Sequence, residues 1–351
     1  MSSLTPSRAV SIVRELHLVA DNAAVELAPA PRLDEGCSVI VCTRERPAMF
    51  RRFLLSLATQ LPRPQQLVVV DASRDDATEA VLCDCVAASP VAGLVDYFRV
   101  DASGAGVTRQ RNFALTQVRH DLVASFDDDI VLLPRCLAEL EKAHRANPDV
   151  VGVAACIDNE PVTLTLQWRL RRMLLVVPSL APGRYFDSGV STPWGRIPPG
   201  PELIPGDWLP GGAVMWKTEA ARTVGYAESF DGYACGNDLE FSLRMRRLGT
   251  QVLSASARLL HLQDGGGRPD SRRLAFEALR NRIYIQRVSG DRRLSRRLWF
   301  AYGMAVETAL QAVHIIRPGR ARQTLQYLRG VADCLVEELT RSRAWWNGGV
   351  A

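Results

Sequence analysis

The amino-acid sequence predicts an α/β protein in which a mainly parallel sheet has helices on both faces and a helical region follows at its C-terminal side. Short apolar runs rich in β-branched residues alternate with amphipathic stretches of helical period. Strands joined through helices in this way form right-handed βαβ units and pair in parallel. The chain has 351 residues, 47% hydrophobic and 23% charged, which supplies a sizeable core and excludes disorder as the main state.

The first half of the chain predicts four strands and three helices. Pro47 occupies the first-turn position at which a helix tolerates proline, and Ser103 is suited to cap the third helix. The predicted elements are, in order, a strand at Cys37–Cys42, a helix from Pro47, a strand at Leu67–Val70, a helix at Ala77–Ala88, a strand at Leu94–Val100, a helix after Ser103 and a strand at Leu122–Phe126. In such sheets the ligand binds beyond the carboxyl ends of the strands.

The middle of the chain predicts a long, partly irregular connection followed by a return to the sheet. Residues 159–210 are rich in proline and glycine, which is typical of connections used for binding or as a lid. Regular structure returns at Gly211–Trp216. A helix beginning near Asn237–Asp238 is expected to present Leu239, Leu243 and Leu248 on one face and to end at Gly249.

Three further helical stretches are predicted at Ser271–Val288, Arg293–Ile316 and Ala321–Arg341. They contain most of the basic surplus, because residues 265–351 hold 16 arginines against 7 acidic residues. The whole chain has a net charge of +5, so the residues before 265 are net acidic. We therefore predict an N-terminal extension over 1–36, an α/β domain over 37–264 and a basic helical region over 265–351.

The cysteines and the apolar segments indicate the cellular compartment in which the protein is expected. The eight cysteines include no C-x-x-C pair, which favours buried free thiols in a reducing compartment. The first 30 residues lack the pattern of a secretory signal, and residues 298–316 are too polar to predict a membrane span. We expect a cytoplasmic protein, either free or peripheral on the cytoplasmic face of the membrane.

Asp127, Asp128 and Asp129 follow directly after the fourth predicted strand. Adjacent carboxylates repel one another, so a bound divalent cation explains the cluster, and oxygen ligands favour Mg²⁺ or Mn²⁺ over zinc. In an extended segment Asp127 and Asp129 face the same way and can meet one ion. The alternative is a solvated acidic turn that caps the following helix.

Five ordered motifs resemble glycosyltransferase family 2, the inverting enzymes with a GT-A (Rossmann-like) fold. The resemblance spans about Ser38–Gln263 and rests on Val41–Pro47, Val69–Asp71, Arg111–Asn112, Phe126–Asp129 with Pro134, and Gly236–Glu240. It implies that Asp71 contacts the nucleobase of a nucleotide-sugar donor, with Thr43 and Arg46 beside it. It further implies that Arg111 lies near the ribose and diphosphate, that the D-x-D aspartates Asp127 and Asp129 hold the metal and diphosphate, and that Asp128 belongs to the donor-nucleotide site.

The resemblance extends to the acceptor side. Asp238 matches the aspartate that acts as general base, and the family's preceding glutamate is replaced here by Asn237. His261 matches a histidine that can reach the metal. Trp208, Gly211 and Gly212 match the lining of the acceptor pocket. Taken alone, Asp238 is equally suited to cap a helix, His261 to lie in the core or on the surface, and Trp208 to fill a packing position.

The sequence thus predicts a glycosyltransferase that uses Mn²⁺ or Mg²⁺ and moves a sugar to a hydroxyl acceptor by single displacement. The acceptor is expected to be a cell-envelope glycan, a lipid-linked saccharide or a small molecule. A nucleotidyltransferase and a non-catalytic sugar-nucleotide-binding protein are the alternatives. The basic helices are suited to an anionic membrane surface, to a phosphate-bearing acceptor, or to packing on the core or on a second copy of the chain. Nucleic acid is not an expected partner.

Overall fold

The computed structural model describes residues 13–15, 34–87, 94–101, 103–160, 165–230, 233–263, 270–288, 293–316 and 318–346. The strands described are β1 (Val13–Glu15), β2 (Asp34–Thr43), β3 (Gln66–Asp71), β4 (Val95–Arg99), β5 (His120–Asp127), β6 (Ile130–Leu132), β7 (Val150–Ile157), β8 (Leu203–Pro205), β9 (Ala213–Lys217) and β10 (Thr250–His261). The helices described are α1 (Pro47–Ala58), α2 (Ala77–Ala87), α3 (Val107–Gln117), α4 (Cys136–Ala146), α5 (Leu166–Met173), α6 (Thr218–Val224), α7 (Asn237–Met245), α8 (Ser271–Val288), α9 (Leu294–Ala312) and α10 (Ala321–Trp346), and a 3-10 helix at Val313–Ile316 follows α9.

The strands form one sheet in the order β1-β4-β3-β2-β5-β9-β7-β10-β6, with β8 also paired to β10. The strands β1, β4, β3, β2 and β5 pair in parallel with one another in that order, and β7 pairs in parallel with β10. The strand β9 runs antiparallel between β5 and β7, and β6 and β8 run antiparallel to β10. The predicted α/β fold with a mainly parallel sheet is confirmed.

Apolar side chains fill a layer on each face of this sheet. On β2, Val39 and Val41 join the layer that contains Phe53 of α1, whereas Ile40 joins the layer that contains Leu115 of α3. Successive side chains of a strand point to opposite faces, so this division shows that β2 is covered on both sides. Burial on both faces is the reason that β2 and β3 are near-continuous apolar runs in the sequence.

The chain divides into two compact units. The sheet unit comprises the described residues within 1–162, 194–229 and 241–264, and the helical unit comprises those within 163–193, 230–240 and 265–351. In the helical unit, α8 and α10 pack so closely that a Cβ on Gly330 would lie 2.0 Å from the carbonyl oxygen of Arg272. The predicted domain boundaries at 37 and 265 stay a prediction.

One local prediction is corrected and another gains detail. The partly irregular stretch 159–210 contains the helix α5 and the strand β8. The helix α7 ends at Met245 rather than at Gly249, so Leu248 lies beyond the helix and is 50% exposed. The three C-terminal helices are confirmed, whereas Gly265–Gly267, Arg292 and nearly all of the N-terminal extension lie outside the described residues. Within the described part of the chain, no helix combines the length and apolar character needed to cross a membrane.

Candidate active site

Three parallel strands bring polar residues together at their carboxyl ends. In the pairing of β2 with β3, Thr43 lies opposite Asp71, and in the pairing of β2 with β5, Cys42 lies opposite Asp127. The predicted juxtaposition of these clusters is therefore a consequence of strand register. The loop after β2 turns at Glu45, which has a positive φ of 56° and donates its backbone N–H to Ser73 Oγ at 2.7 Å.

Asp128 and Asp129 are held by residues of the loop after β2. The Thr43 hydroxyl donates to Asp128 Oδ2 at 2.7 Å, and the Arg46 guanidinium lies 3.3 Å from Asp128 Oδ1 and 3.6 Å from Asp129 Oδ2. Burial raises the pKa of Asp128 to about 7, and the charges of Asp127 and Asp129 add to this against the opposing effects of Thr43 and Arg46. The cluster is thus a concentration of negative charge at the end of β5 that Arg46 neutralises only in part.

Asp127 differs from its two neighbours because its side chain is 42% exposed, whereas theirs are 6% exposed. It accepts a 2.8 Å hydrogen bond from the buried guanidinium of Arg111, which lies 5.4 Å from the ring centre of Tyr226. Gly212 packs directly on Asp127: its carbonyl accepts the Asp127 backbone N–H at 3.2 Å, and a Cβ at Gly212 would lie 2.0 Å from Asp127 Oδ2. Gly212, predicted for the acceptor pocket, lies against the D-x-D carboxylate.

His261 at the end of β10 faces the same cluster. Its Nε2 lies 3.3 Å from Asp129 Oδ1, and its Nδ1 lies 2.9 Å from Glu160 Oε1. The interactions with these two carboxylates, led by that with Asp129, raise the pKa of His261 to about 10. Asn159 fixes the backbone of His261 from both sides, since its amide donates to the His261 carbonyl at 2.7 Å and accepts the His261 N–H at 2.9 Å.

Glu160 and Asn159 were not among the predicted site residues. The signal was present, because both follow β7, a parallel neighbour of β10 in the sheet. A polar pair directly after a buried strand is the same feature that identified Asp71 and Asp127.

Asp71 is fully buried and both of its oxygens accept hydrogen bonds. Oδ1 accepts from the backbone N–H of Ser73 and Oδ2 from the hydroxyl of Tyr97, each at 2.8 Å. The carboxylate thus fixes the turn after β3 against β4. Its predicted contact with a nucleobase stays a prediction, and any such contact adds to these two hydrogen bonds.

Asn237 and Asp238 begin α7 and belong to the helical unit. The Asn237 amide donates to the Ala234 carbonyl at 2.8 Å, and Asp238 Oδ1 accepts the backbone N–H of Leu239 at 2.9 Å. Since the helix starts at Asn237, Asp238 lies inside the first turn rather than at the N-cap. In the first turn the helix dipole stabilises a negative charge. The buried Asn281 of α8 donates to the Cys235 carbonyl at 2.9 Å and so holds the turn that precedes α7.

The remaining predicted residues lie in the sheet unit near the start of β9. The carbonyl of Trp208 accepts the indole N–H of Trp194 at 2.8 Å, and its ring packs against the apolar layer that contains Trp216. Gly211 is buried next to Gly212. The structure therefore groups Thr43, Arg46, Arg111, Asp127, Asp128, Asp129, Gly212 and His261, while an acceptor role for Trp208 and Gly211 stays a prediction.

The donor set at the end of β5 fits an open cation site. Among the described residues, no group of three or more His, Cys, Asp or Glu side chains forms a closed metal-binding set. Mg²⁺ and Mn²⁺ sites are commonly built from one or two carboxylates and completed by phosphate oxygens and water. Asp127 and Asp129 supply such carboxylates, and the absence of a side chain at Gly212 lets the Asp127 carboxylate lie directly against the backbone there.

Comparison with known proteins identifies the fold. The solved structure of the mannosyltransferase PcManGT from Pyrobaculum calidifontis, in complex with GDP-Man and Mn²⁺, has a TM-score of 0.53 at 15% identity and covers 88% of this chain and 90% of that chain. The structure of residues 1–349 of TarS from S. aureus, in complex with UDP-GlcNAc, has a TM-score of 0.52 at 13% identity. The match covers 85% of this chain and 80% of that chain. The structure of GalNAc-T7 with UDP, GalNAc and Mn²⁺ has a TM-score of 0.58 at 14% identity. The match covers 84% of this chain and 54% of that chain.

At these identities the structural similarities establish a GT-A glycosyltransferase fold. No curated protein matches the sequence of this chain. The sequence model of glycosyl transferase family 2 matches residues 38–194, a range that includes most of β2, all of β3 to β5 and the three aspartates. Residues 38–194 accordingly match glycosyltransferase family 2, and this match together with the fold identifies the protein as a glycosyltransferase.

Proposed function

We propose that this protein is a metal-dependent, inverting glycosyltransferase that moves a sugar from a nucleotide-sugar donor to a hydroxyl acceptor. The observation that supports it best is the carboxylate cluster at the end of β5. One carboxylate, Asp127, is part-exposed beside a glycine and a buried arginine, while Asp128 and Asp129 are buried behind it. Two structures of the same fold contain Mn²⁺ together with a nucleotide or a nucleotide-sugar, and they support a nucleotide-sugar donor here.

On the donor side, Asp127 and Asp129 would hold the cation together with the diphosphate of the donor. A bound dication supplies compensation for the negative charge that develops on the leaving diphosphate. Arg111 positions Asp127 through its 2.8 Å hydrogen bond, and Arg46 offsets the charge of the two buried carboxylates. His261 would join the cation as a ligand only in its neutral form, after giving up its hydrogen bond to Asp129.

On the acceptor side, Asp238 acts as the general base. It takes the proton of the acceptor hydroxyl while the hydroxyl oxygen forms a bond to the anomeric carbon and the bond from that carbon to the diphosphate oxygen breaks. Attack opposite to the leaving group inverts the anomeric centre in one displacement and needs no covalent sugar–enzyme intermediate. Asn237, next to Asp238, is proposed to contact the acceptor.

Separate measurements of binding and transfer test these roles. We expect Asp129→Asn to abolish both Mn²⁺-dependent donor binding, followed by thermal shift, and nucleotide release. We expect Asp238→Asn to retain donor binding and to lose transfer. Asp84→Asn, which alters an exposed carboxylate on α2, is the matched control and should retain both. Full transfer by Asp238→Asn would contradict the general-base role, and unchanged binding by Asp129→Asn would contradict the cation site.

A further inference from the structure

The helix α9 exposes an apolar face. Leu294 is 70% exposed, Leu298 is 62% exposed and Tyr302 is 38% exposed, and their spacing of four residues places them along one side of the helix. The face continues into the 3-10 helix, where Val313 is 58% exposed and Ile316 is 80% exposed. Apolar side chains aligned in this way differ from the scattered exposed leucines that are ordinary on protein surfaces.

The helix α5 and the turn that follows it lie beside α9 in the same helical unit and carry further exposed apolar residues. Tyr302 donates its hydroxyl to the Leu174 carbonyl at 2.9 Å, so the end of α5 adjoins the middle of α9. At the other end of α5, the Gln167 amide lies 2.8 Å from His314 Nε2. Leu166 and Met173, on α5, are 71% and 70% exposed. We call the exposed apolar residues of α5, the turn and α9 the α5–α9 face.

The turn itself projects a leucine outward. Leu175 has a positive φ of 59°, a conformation that is sterically unfavourable for leucine, and it is 60% exposed. Its neighbours Leu174 and Val176 pack in a small apolar cluster with Met304 of α9. Leu175 directly follows the C-cap of α5, a position at which a positive φ commonly ends a helix, and this turn places the leucine side chain in solvent.

The charges around this face are predominantly positive. Residues 165–175 contain no acidic residue, and the acidic residue of α9, Glu307, is buried and paired with Arg171 at 2.5 Å. Arg296 is paired with Asp187 at 2.6 Å. The exposed arginines beside the apolar residues are Arg169, Arg172, Arg293 and Arg297. An apolar face bordered by exposed arginines complements the interface of an anionic bilayer.

We propose that the α5–α9 face docks on the surface of an anionic lipid bilayer, with Leu175 and Leu298 entering the interface and the arginines contacting lipid phosphates. Trp299 stacks on Tyr302 with ring centres 5.2 Å apart, which supplies the aromatic pair suited to the headgroup region. Since none of the described helices is able to span a bilayer, the contact is interfacial. This inference concerns a surface outside the proposed reaction and does not rest on it.

Flotation of the full chain with lipid vesicles tests the proposal. The vesicles contain either phosphatidylcholine alone or equal amounts of phosphatidylcholine and phosphatidylglycerol. We expect flotation with the anionic vesicles that weakens as salt is raised, and little flotation with the neutral ones. Leu298→Glu should weaken binding at least about tenfold. Leu55→Glu, at a helical position of α1 that is 54% exposed, is the matched control and should bind like the wild type.

Two further variants keep the test independent of misfolding. Leu175→Gly removes the side chain while relieving the positive φ, so the fold is retained, and we expect weaker binding. Arg293→Gln with Arg297→Gln should lower binding by about fivefold per arginine and reduce its salt dependence.

Three results would overturn the proposal. The first is a wild-type chain that fails to float with anionic vesicles at low salt. The second is flotation that Leu175→Gly and Leu298→Glu leave unchanged. The third is a dimer in sedimentation equilibrium that Leu298→Glu dissociates, in a chain that binds no vesicles, because the face then covers a second copy.

Discussion

A methyl group added at Gly212 tests the arrangement of the carboxylate cluster. In Gly212→Ala the new Cβ would lie 2.0 Å from Asp127 Oδ2 and 2.2 Å from its Cγ, well inside van der Waals contact. The Asp127 side chain has to move by about 1 Å or more, and that displacement breaks its 2.8 Å hydrogen bond with Arg111. A misplacement of about 1 Å in a catalytic constellation costs roughly 100-fold in rate.

The stability of this variant should change much less than its activity. Asp127 is part-exposed and can rotate towards solvent, so the main cost is the loss of a partner for the buried Arg111, about 1–3 kcal/mol. We expect nucleotide release from the bound donor to fall about 100-fold while thermal unfolding stays cooperative. Gly200→Ala is the matched control, because no atom lies within 4 Å of its added Cβ, and it should retain wild-type activity.

A double-mutant cycle separates the contact from any general disturbance of β9. If Gly212→Ala acts only by displacing Asp127, it should add little to the loss already caused by Asp127→Ala. The reasoning is refuted if Gly212→Ala releases nucleotide at the wild-type rate. It is also refuted if the losses of the two single variants multiply in the double variant.

Two other predictions concern buried groups away from the site. Glu307→Ala leaves the Arg171 guanidinium buried without its carboxylate, so the free energy of unfolding should fall by about 3–5 kcal/mol in denaturant titrations; a loss below about 1 kcal/mol would contradict the structure. Burial lowers the pKa of His144 from 6.5 to about 4, so between these values the unfolded chain binds a proton that the folded chain does not. The free energy of unfolding should therefore decrease as the pH is lowered from 7 to 5, by about 2 kcal/mol from this histidine. His144→Gln should remove that part of the pH dependence, and an unchanged slope would contradict it.

The sequence was most informative where local pattern determines structure. The apolar runs of β2, β3 and β5 predicted both the strands and their buried faces, and the polar residues directly after them predicted the site. Strand register then determines which of these polar residues lie next to each other, because Thr43 lies opposite Asp71 only through parallel pairing of β2 with β3. The predictions of the strands and of the polar residues' position at one sheet edge succeeded, because each depended on neighbours in sequence and on one general property of parallel sheets.

Interactions between distant residues could not be predicted in this way. The Tyr97 hydroxyl on Asp71 joins two strands, and the pairing of Glu160 with His261 joins residues 101 positions apart. The sequence also gave no means of predicting that Gly212 lies against Asp127, because that contact arises from the insertion of β9 antiparallel to β5. The helix α5 was missed because its exposed side has apolar residues and arginines rather than the usual polar face.

The most direct test of the central claim is donor binding with and without a divalent cation. Thermal shift of the full chain with UDP-, GDP- and dTDP-sugars, each with Mn²⁺ and with chelator, reports binding because a ligand of the folded state raises the melting temperature. We predict that at least one donor stabilises the wild type in Mn²⁺ only, and that Asp127→Asn and Asp129→Asn lose this shift. An equal shift in chelator, or an undiminished shift in both variants, would contradict the assignment of the Asp127–Asp129 cluster as the cation and diphosphate site.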